Sequence, residues 1–314
     1  ALAIRKNYKL PDTNSKNPII KGLAKFLGLK KTADLKTFLW LILYFAFLGH
    51  AWTSHETNSW AYCGLMSFIN AYFSFAGAVI AHNSMHCTLF YKPMRTRIFQ
   101  MFLSLTYGHP VSTFVPGHNL SHHKYTEHAK DPMRTGKLRY EWNLLNLLLY
   151  QPTVAGAVLK QDIRYFRLIR TRRPDMFANC LCELALVLVV QFGLLYADWR
   201  KYLMYWHGPH FFGQWAIVTM NLLQHDGCEV APPLDKENYN TSRNFVGPVI
   251  NFLAFNNGYH MIHHIYPGLH WSEIVEAHNK IIKPFNHPEL DQQCMFRYTW
   301  RTVINPGLRV TYLG

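Results

Sequence analysis

The sequence predicts an all-α integral membrane protein, with four transmembrane helices arranged as two hairpins beneath a helical cap on the cytosolic side. Three observations carry that prediction: four long stretches are nearly free of charge, the cationic residues gather in alternate connections between them, and histidines collect where the stretches end.

The apolar stretches are Thr37 to Trp52, Trp60 to Ala81, Met176 to Tyr196 and Phe211 to Leu223. A helix needs about 20 apolar residues to cross about 30 Å of hydrocarbon. The first and last stretches are short, and Trp40, Tyr44, Trp52, Trp60, Tyr205 and Trp206 supply rings of the kind that sit at headgroup depth and extend a span. A soluble chain would have to bury several helices that are apolar on every side, which only the centre of a large domain permits.

The formal charge of +14 raises the question of nucleic acid, and its distribution points to a membrane instead. Nine Lys or Arg residues precede Thr37, none lies between Ala51 and Trp60, fourteen lie between Ala81 and Asp175, two lie between Tyr196 and Trp206, and seven follow His225. With the first two stretches as one hairpin and the last two as another, every strongly basic segment falls on one side, which the positive-inside tendency makes cytosolic. Both termini are expected there. Arg164, Arg167, Arg170, Arg172 and Arg173, beside the second hairpin, suit anionic headgroups.

Residues 1–36 read as a basic cytosolic lead with an amphipathic segment at Ile19 to Leu29, and residues 37–314 as a single membrane-embedded domain with its cap. The lead lacks a compact apolar run followed by a small-residue cleavage signal, so no removable signal peptide is expected. Ile98 to Phe114, interrupted by Gly108, His109 and Pro110, reads as a buried or re-entrant helix. His118 to Lys130 reads as a helix ended by Asp131 and Pro132, Trp142 to Tyr150 as a short surface piece, and Ser272 to Ile282 as a helix ended near Pro284. The six cysteines form neither a CxxC pair nor a disulfide framework and read as reduced thiols.

Three histidine clusters stand out: His82 with His86; His118 with His122 and His123; and His260 with His263 and His264. On an α-helix residues four apart share a face, so His82/His86, His118/His122 and His260/His264 can each aim two imidazoles at one site, whereas neighbours such as His122 and His123 diverge toward different ions. His225 follows the fourth apolar stretch directly and returns to the same side. Nine imidazoles exceed what one closed zinc site takes, and imidazole also suits iron, so two redox-active metals account better for the number.

With HNSMH at His82 to His86, HNLSHH at His118 to His123, NLLQH at Asn221 to His225 and HMIHH at His260 to His264, the chain resembles the membrane-bound fatty-acid desaturase and hydroxylase superfamily, the histidine-box non-haem diiron enzymes. The resemblance covers roughly Thr37 to Ile282, and HHIYPGLHW from His263 to Trp271 extends it. It implies two Fe ions at the cytosolic face, O2 as cosubstrate, and electrons from a separate ferredoxin, rubredoxin or cytochrome-type donor. It also implies His82, His86, His123 and His264 around one iron, with Asn221 reaching that iron through water, and His118, His122, His225, His260 and His263 around the other. Asp131, Glu127 and Asp226 are candidates to hold the far ring nitrogens.

The expected function is oxygen-dependent desaturation of a long-chain fatty acyl or related lipid. The alternatives are a diiron hydroxylase of an alkyl, acyl or carotenoid substrate, or an oxidative decarboxylase forming a terminal alkene. Trp60, Phe73, Phe75, Met101 and Phe102 are candidate lining residues of an apolar substrate channel. No haem-binding CxxCH, dinucleotide glycine fingerprint or iron–sulfur cysteine cluster is present, so an internal reductant is not expected. Lys124, Lys130, Arg134, Lys137 and Arg139 form a basic surface suited to an acidic donor. A zinc hydrolase is disfavoured because HExxH is missing. A metal transporter is disfavoured because the clusters lie beyond the inferred membrane ends.

Overall fold

The computed structural model describes residues 12–233, 235 and 237–305. The termini, and with them the first eleven residues of the basic lead, lie outside the described residues. The described chain is mostly helical, and two short strands, β1 (Asn244–Phe245) and β2 (Asp291–Gln292), pair in parallel. The described residues divide into two compact units that alternate along the sequence, residues 13–114 with 165–217, and residue 12 with 115–164 and the described part of 218–305.

The unit built on residues 13–114 and 165–217 holds α1 (Pro18–Leu27), α2 (Asp34–Thr53), α3 (Trp60–His86) and α4 (Pro93–Tyr107). It also contains α6 (Pro174–Ala197), which follows the long α5 (Asn143–Arg172). Three of these helices, α2, α3 and α6, are long and apolar enough to cross a membrane. α3 is the central one. More than half of its most apolar window is buried, whereas α2 and α6 bury 17% of theirs and leave Leu39, Ile42, Val189 and Phe192 exposed. Exposed apolar area costs about 25 cal/mol per Å² in water and nothing comparable in hydrocarbon.

Close packing holds α3 in place. Trp40 Nε1 donates to Tyr72 Oη at 2.8 Å, and Phe47 stacks on Phe73 with centroids 5.5 Å apart. At Gly77 an added Cβ would come 2.5 Å from Thr106 Oγ1, so α3 and α4 approach at a distance that only glycine allows. α4 stops at Gly108, whose φ of 70° suits a residue without Cβ. Trp60 (75% exposed) and Phe102 (49%) face outward, which removes both from the expected channel lining; their apolar rings instead contribute to the outer surface.

The fourth expected span lies within α7 (Gly208–His225), which continues a helical run beginning at Trp199. α7 is not among the three membrane-length helices, and its polar residues His210, Gln214, Asn221 and Gln224 account for its lower hydropathy. The short surface piece expected at Trp142 to Tyr150 proves to be only the start of α5, which continues through Pro152 to Arg172. Its exposed Leu148, Leu159 and Ile163, interleaved with cations, form an amphipathic surface that the charge of Lys160 to Arg172 obscured in the sequence.

The other unit contains α8 (Pro248–Leu253), α9 (His260–Ile265) and α10 (Ile274–Ala277). Its core packs Tyr259, Met261, Ile262 and Ile265 against Ile274, Ala277, Ile281 and Ile282. The helix expected over Ser272 to Ile282 is α10 followed by a π-turn at His278–Ile282.

Candidate metal centre

The second histidine box does not lie on an α-helix. Val115–His122 is a π-helix, and a short α-turn at His123–Tyr125 follows it. Hydrogen bonding from i to i+5 widens the turn, so residues five apart come into register rather than residues four apart. His118 therefore faces His123, with Nε2 atoms 3.1 Å apart, and the shared α-helical face expected for His118 and His122 is replaced. His122 and His123 fall in different groups, as adjacent positions on a helix must diverge.

α9 supplies the third box. His260 and His264 sit one turn apart with Nε2 atoms 3.1 Å apart, while His263 turns the other way and places its Nε2 3.0 Å from that of His123. The last residue of α7, His225, brings its Nε2 within 2.9 Å of His260 Nε2. Within this unit His118, His123 and His263 thus form one group and His122, His225, His260 and His264 another, with the ligand atoms of each group within 4.8 Å of one another. This differs from the division implied by resemblance: His118 and His263 stand with His123, and His264 stands with His122, His225 and His260. The π-turn and the opposed faces of α9 cause the exchange. In the other unit, the final turn of α3 carries His82 and His86 on one face, ring centroids 5.1 Å apart.

The residues fit metal ions. With metal–nitrogen bonds of about 2.1 Å, ligands at right angles stand about 3.0 Å apart, and the Nε2 separations are 2.9 to 3.1 Å. His122 is fully buried, and its Nε2 has no hydrogen-bond partner among the described residues. A buried nitrogen left in that state is costly unless a ligand satisfies it. Its other nitrogen, Nδ1, lies 2.9 Å from Asp131 Oδ2, and His225 Nδ1 lies 2.9 Å from the Thr241 carbonyl. Donation from Nδ1 to these acceptors leaves each Nε2 with its lone pair toward the group.

The electrostatics agree. Burial drives His225 down to about 3 and His264 well below the ordinary imidazole value, so both rings are neutral near pH 7. Burial opposes charge on His122 too, but Asp131 beside it outweighs burial and raises its pKa. Burial would raise Asp131, and His122 with the backbone N–H groups of Met133 and Glu127 reverses this and lowers it. Those N–H groups donate at 2.8 and 3.0 Å, the second from Glu127 at φ 64°. Asp131 is therefore clamped before it meets the imidazole.

The other candidates separate. Glu127 accepts from Thr135 N and Oγ1 rather than from an imidazole, and Asp226 contributes its backbone carbonyl to Arg243. Asn221 donates its amide to the Met133 carbonyl at 3.1 Å and to Tyr150 Oη at 3.0 Å, so its side-chain nitrogen is committed to these two partners. His109 pairs with Thr113, His270 with Ser272, His128 with the Ala231 carbonyl and His278 with Asp291, outside both groups.

Sequence reasoning missed Arg243. It is fully buried, donates to the carbonyls of Leu223 at 2.6 Å and Asp226 at 3.0 Å, and lies 4.5 Å from the Tyr298 ring centre. The Arg243 N–H also donates to the Gln224 carbonyl at 2.6 Å. One residue thus holds the carbonyl end of the helix that carries His225, where positive charge complements the helix dipole. Nothing in the sequence distinguished this arginine from those of a solvated loop.

Membrane-length helices and compact all-imidazole groups point to a class, an integral membrane protein whose histidine groups could hold metal ions. A sequence profile of the fatty acid desaturase family matches residues 58–291, and the chain belongs to that family. It is also similar to the sphingolipid delta(4)-desaturase of Schizosaccharomyces pombe, 24% identical over 270 residues, covering 80% of this chain and 70% of that protein. The family makes the chain an oxidoreductase of lipid desaturation.

Proposed function

We propose that the chain is a membrane-bound non-haem diiron enzyme that desaturates a long-chain fatty acyl or related lipid with O2 and electrons from a separate donor. The observation that carries this reading is the presence, in a member of the desaturase family, of two compact imidazole groups with nitrogen spacings suited to metal ions. The proposed ligands are His118, His123 and His263 for one ion and His122, His225, His260 and His264 for the other, with His82 and His86 as further ligands. Asn221 orients a water through its remaining carbonyl oxygen.

Bound iron would supply the oxidising power to break unactivated alkyl C–H bonds: two hydrogens leave the chain as a double bond forms, and O2 takes them with two further electrons and two protons to give two waters. The protein's part is geometric. Asp131 and the Thr241 carbonyl fix ring orientation, burial keeps His225 and His264 neutral, and Arg243 fixes the end of α7. The proposed topology has four spans in two hairpins, Phe211 to Leu223 being the fourth, with a cytosolic cap, metal site and termini. A basic lead, residues 1–36, precedes a single domain, residues 37–314. The donor is a ferredoxin, rubredoxin or cytochrome-type protein that meets Lys124, Lys130, Arg134, Lys137 and Arg139. A sphingoid chain is the specific candidate substrate, supported by the activity named for the relative.

The test is elemental analysis of purified enzyme together with mass spectrometry of lipids after reconstitution with a donor. About two irons per chain and an oxygen-dependent loss of two hydrogens are expected. One zinc per chain with no oxygen-dependent product overturns the reading. An alcohol or a shortened terminal alkene replaces desaturation by hydroxylation or decarboxylation.

A further inference from the structure

We propose that α1, with the start of α4, is an interfacial anchor that seats the protein on an anionic bilayer surface. This inference does not depend on the chemistry of the metal centre. α1 has ten residues, too few for a stable isolated helix in water, and its ends are secured. Asn17 Oδ1 accepts from the N–H groups of Ile19 and Ile20, Pro18 opens the first turn, and Gly28 closes the helix at φ 73°.

Its mooring to the unit is equally specific. Arg95 Nη1 donates to the Phe26 carbonyl at 3.2 Å, Lys30 N to the Leu89 carbonyl at 2.8 Å and Tyr91 N to the Gly28 carbonyl at 3.3 Å, and Leu29 bridges Phe90. Only Ala24 of the helix is fully buried. Ile19 and Phe26 are each 79% exposed and Leu23 is 49% exposed. These three are spaced four and three apart, so they form a single stripe. Tyr91, Met94 and Ile98, beside the mooring, extend the exposed apolar area onto α4.

Lys21 and Lys25 are exposed on the opposite side of α1, and Lys16 is exposed just before it. A helix with one bare apolar stripe and cations opposite lies in the plane of a bilayer, the stripe among the upper acyl carbons and the ammonium groups among phosphates. Continuity with the membrane supports that occupant over a protein partner, because α2, which is long enough to span, begins at Asp34, shortly after Gly28. The cations select anionic headgroups.

The experiment uses the full chain, one copy per nanodisc, in phosphatidylcholine alone or mixed with phosphatidylglycerol. Ile19→Cys, Phe26→Cys and Lys21→Cys are labelled with a membrane-impermeant maleimide and read by peptide mass spectrometry, which separates them from the native cysteines. In anionic discs positions 19 and 26 are expected to react about tenfold more slowly than position 21. Adding Lys25→Glu and, for the 19 and 26 variants, Lys21→Glu is expected to restore fast labelling. Equal rates at 19, 26 and 21 overturn the proposal, as does protection that ignores lipid charge. Protection that persists in detergent with crosslinking between chains at position 26 also overturns it, by assigning the stripe to a second copy.

Discussion

Asp131 Oδ2 accepts the Nδ1 proton of His122 across 2.9 Å, with both side chains sealed from solvent. The carboxylate decides which ring nitrogen of His122 is left to bind a metal. Asp131→Asn keeps the shape but removes the charge that holds the ring, and loss of such a partner typically weakens metal affinity about 10- to 100-fold. Competitive chelator titration of the purified protein is expected to show one of two ions released early. Unchanged release of both ions contradicts the role given to Asp131.

The raised pKa of His122 carries a pH dependence for metal uptake. A proton on that ring excludes a metal, so the apo protein should bind its second ion progressively more weakly as pH falls through the raised His122 value. At higher pH the ring is neutral and binding is complete. Asp131→Asn should move this fall toward lower pH. Equilibrium dialysis against cobalt(II) across a pH series measures both curves.

His225 and Asn221 stand one turn apart on α7, yet their losses should differ in kind. His225→Ala removes a nitrogen from the group of four and should reduce bound iron from about two per chain toward one while the helices persist. Asn221→Ala removes the amide shared by the Met133 carbonyl and the Tyr150 hydroxyl, which keep their bond to each other, and should cost about 1 kcal/mol of stability with both irons retained. Iron analysis and thermal unfolding in detergent distinguish the two. Full iron content in His225→Ala removes it from the ligand set.

Arg243 should be intolerant of even a conservative change. Lysine cannot reproduce a planar fork reaching the Leu223 and Asp226 carbonyls together, and losing a hydrogen bond made by a charged group costs about 1.5–3 kcal/mol. Arg243→Lys is expected to lower the unfolding temperature and loosen the ion held by His225, with less effect on the ion of His118, His123 and His263. Cobalt(II) spectra recorded at one and two equivalents test that selectivity.

The three membrane-length helices and the histidine groups of the second and third boxes with His225 were legible because each rests on local pattern, either ring spacing or an unbroken apolar run. The grouping of the rings was not. A π-turn at Val115–His122 depends on which backbone carbonyl each N–H reaches, and HNLSHH reads equally well on an α-helix, where His118 would face His122 instead of His123. α5 was foreshortened in the sequence because Pro152 and the cations after Lys160 masked its periodicity. Arg243 and the Thr241 carbonyl act through contacts with α7 and its last residue, and no spacing along the chain announces a buried arginine or a backbone acceptor.

The wide turn at Val115–His122 also makes the second box a gauge of chain length. A π-turn accommodates one residue more than an α-turn, so deleting one residue between Val115 and Gly117 would let the segment relax into ordinary α-helix with every histidine still in the sequence. His118 would then swing toward His122 and away from His123. The segment is therefore constrained in number of residues as well as in kind, and related chains should tolerate substitutions there far more readily than single-residue gaps.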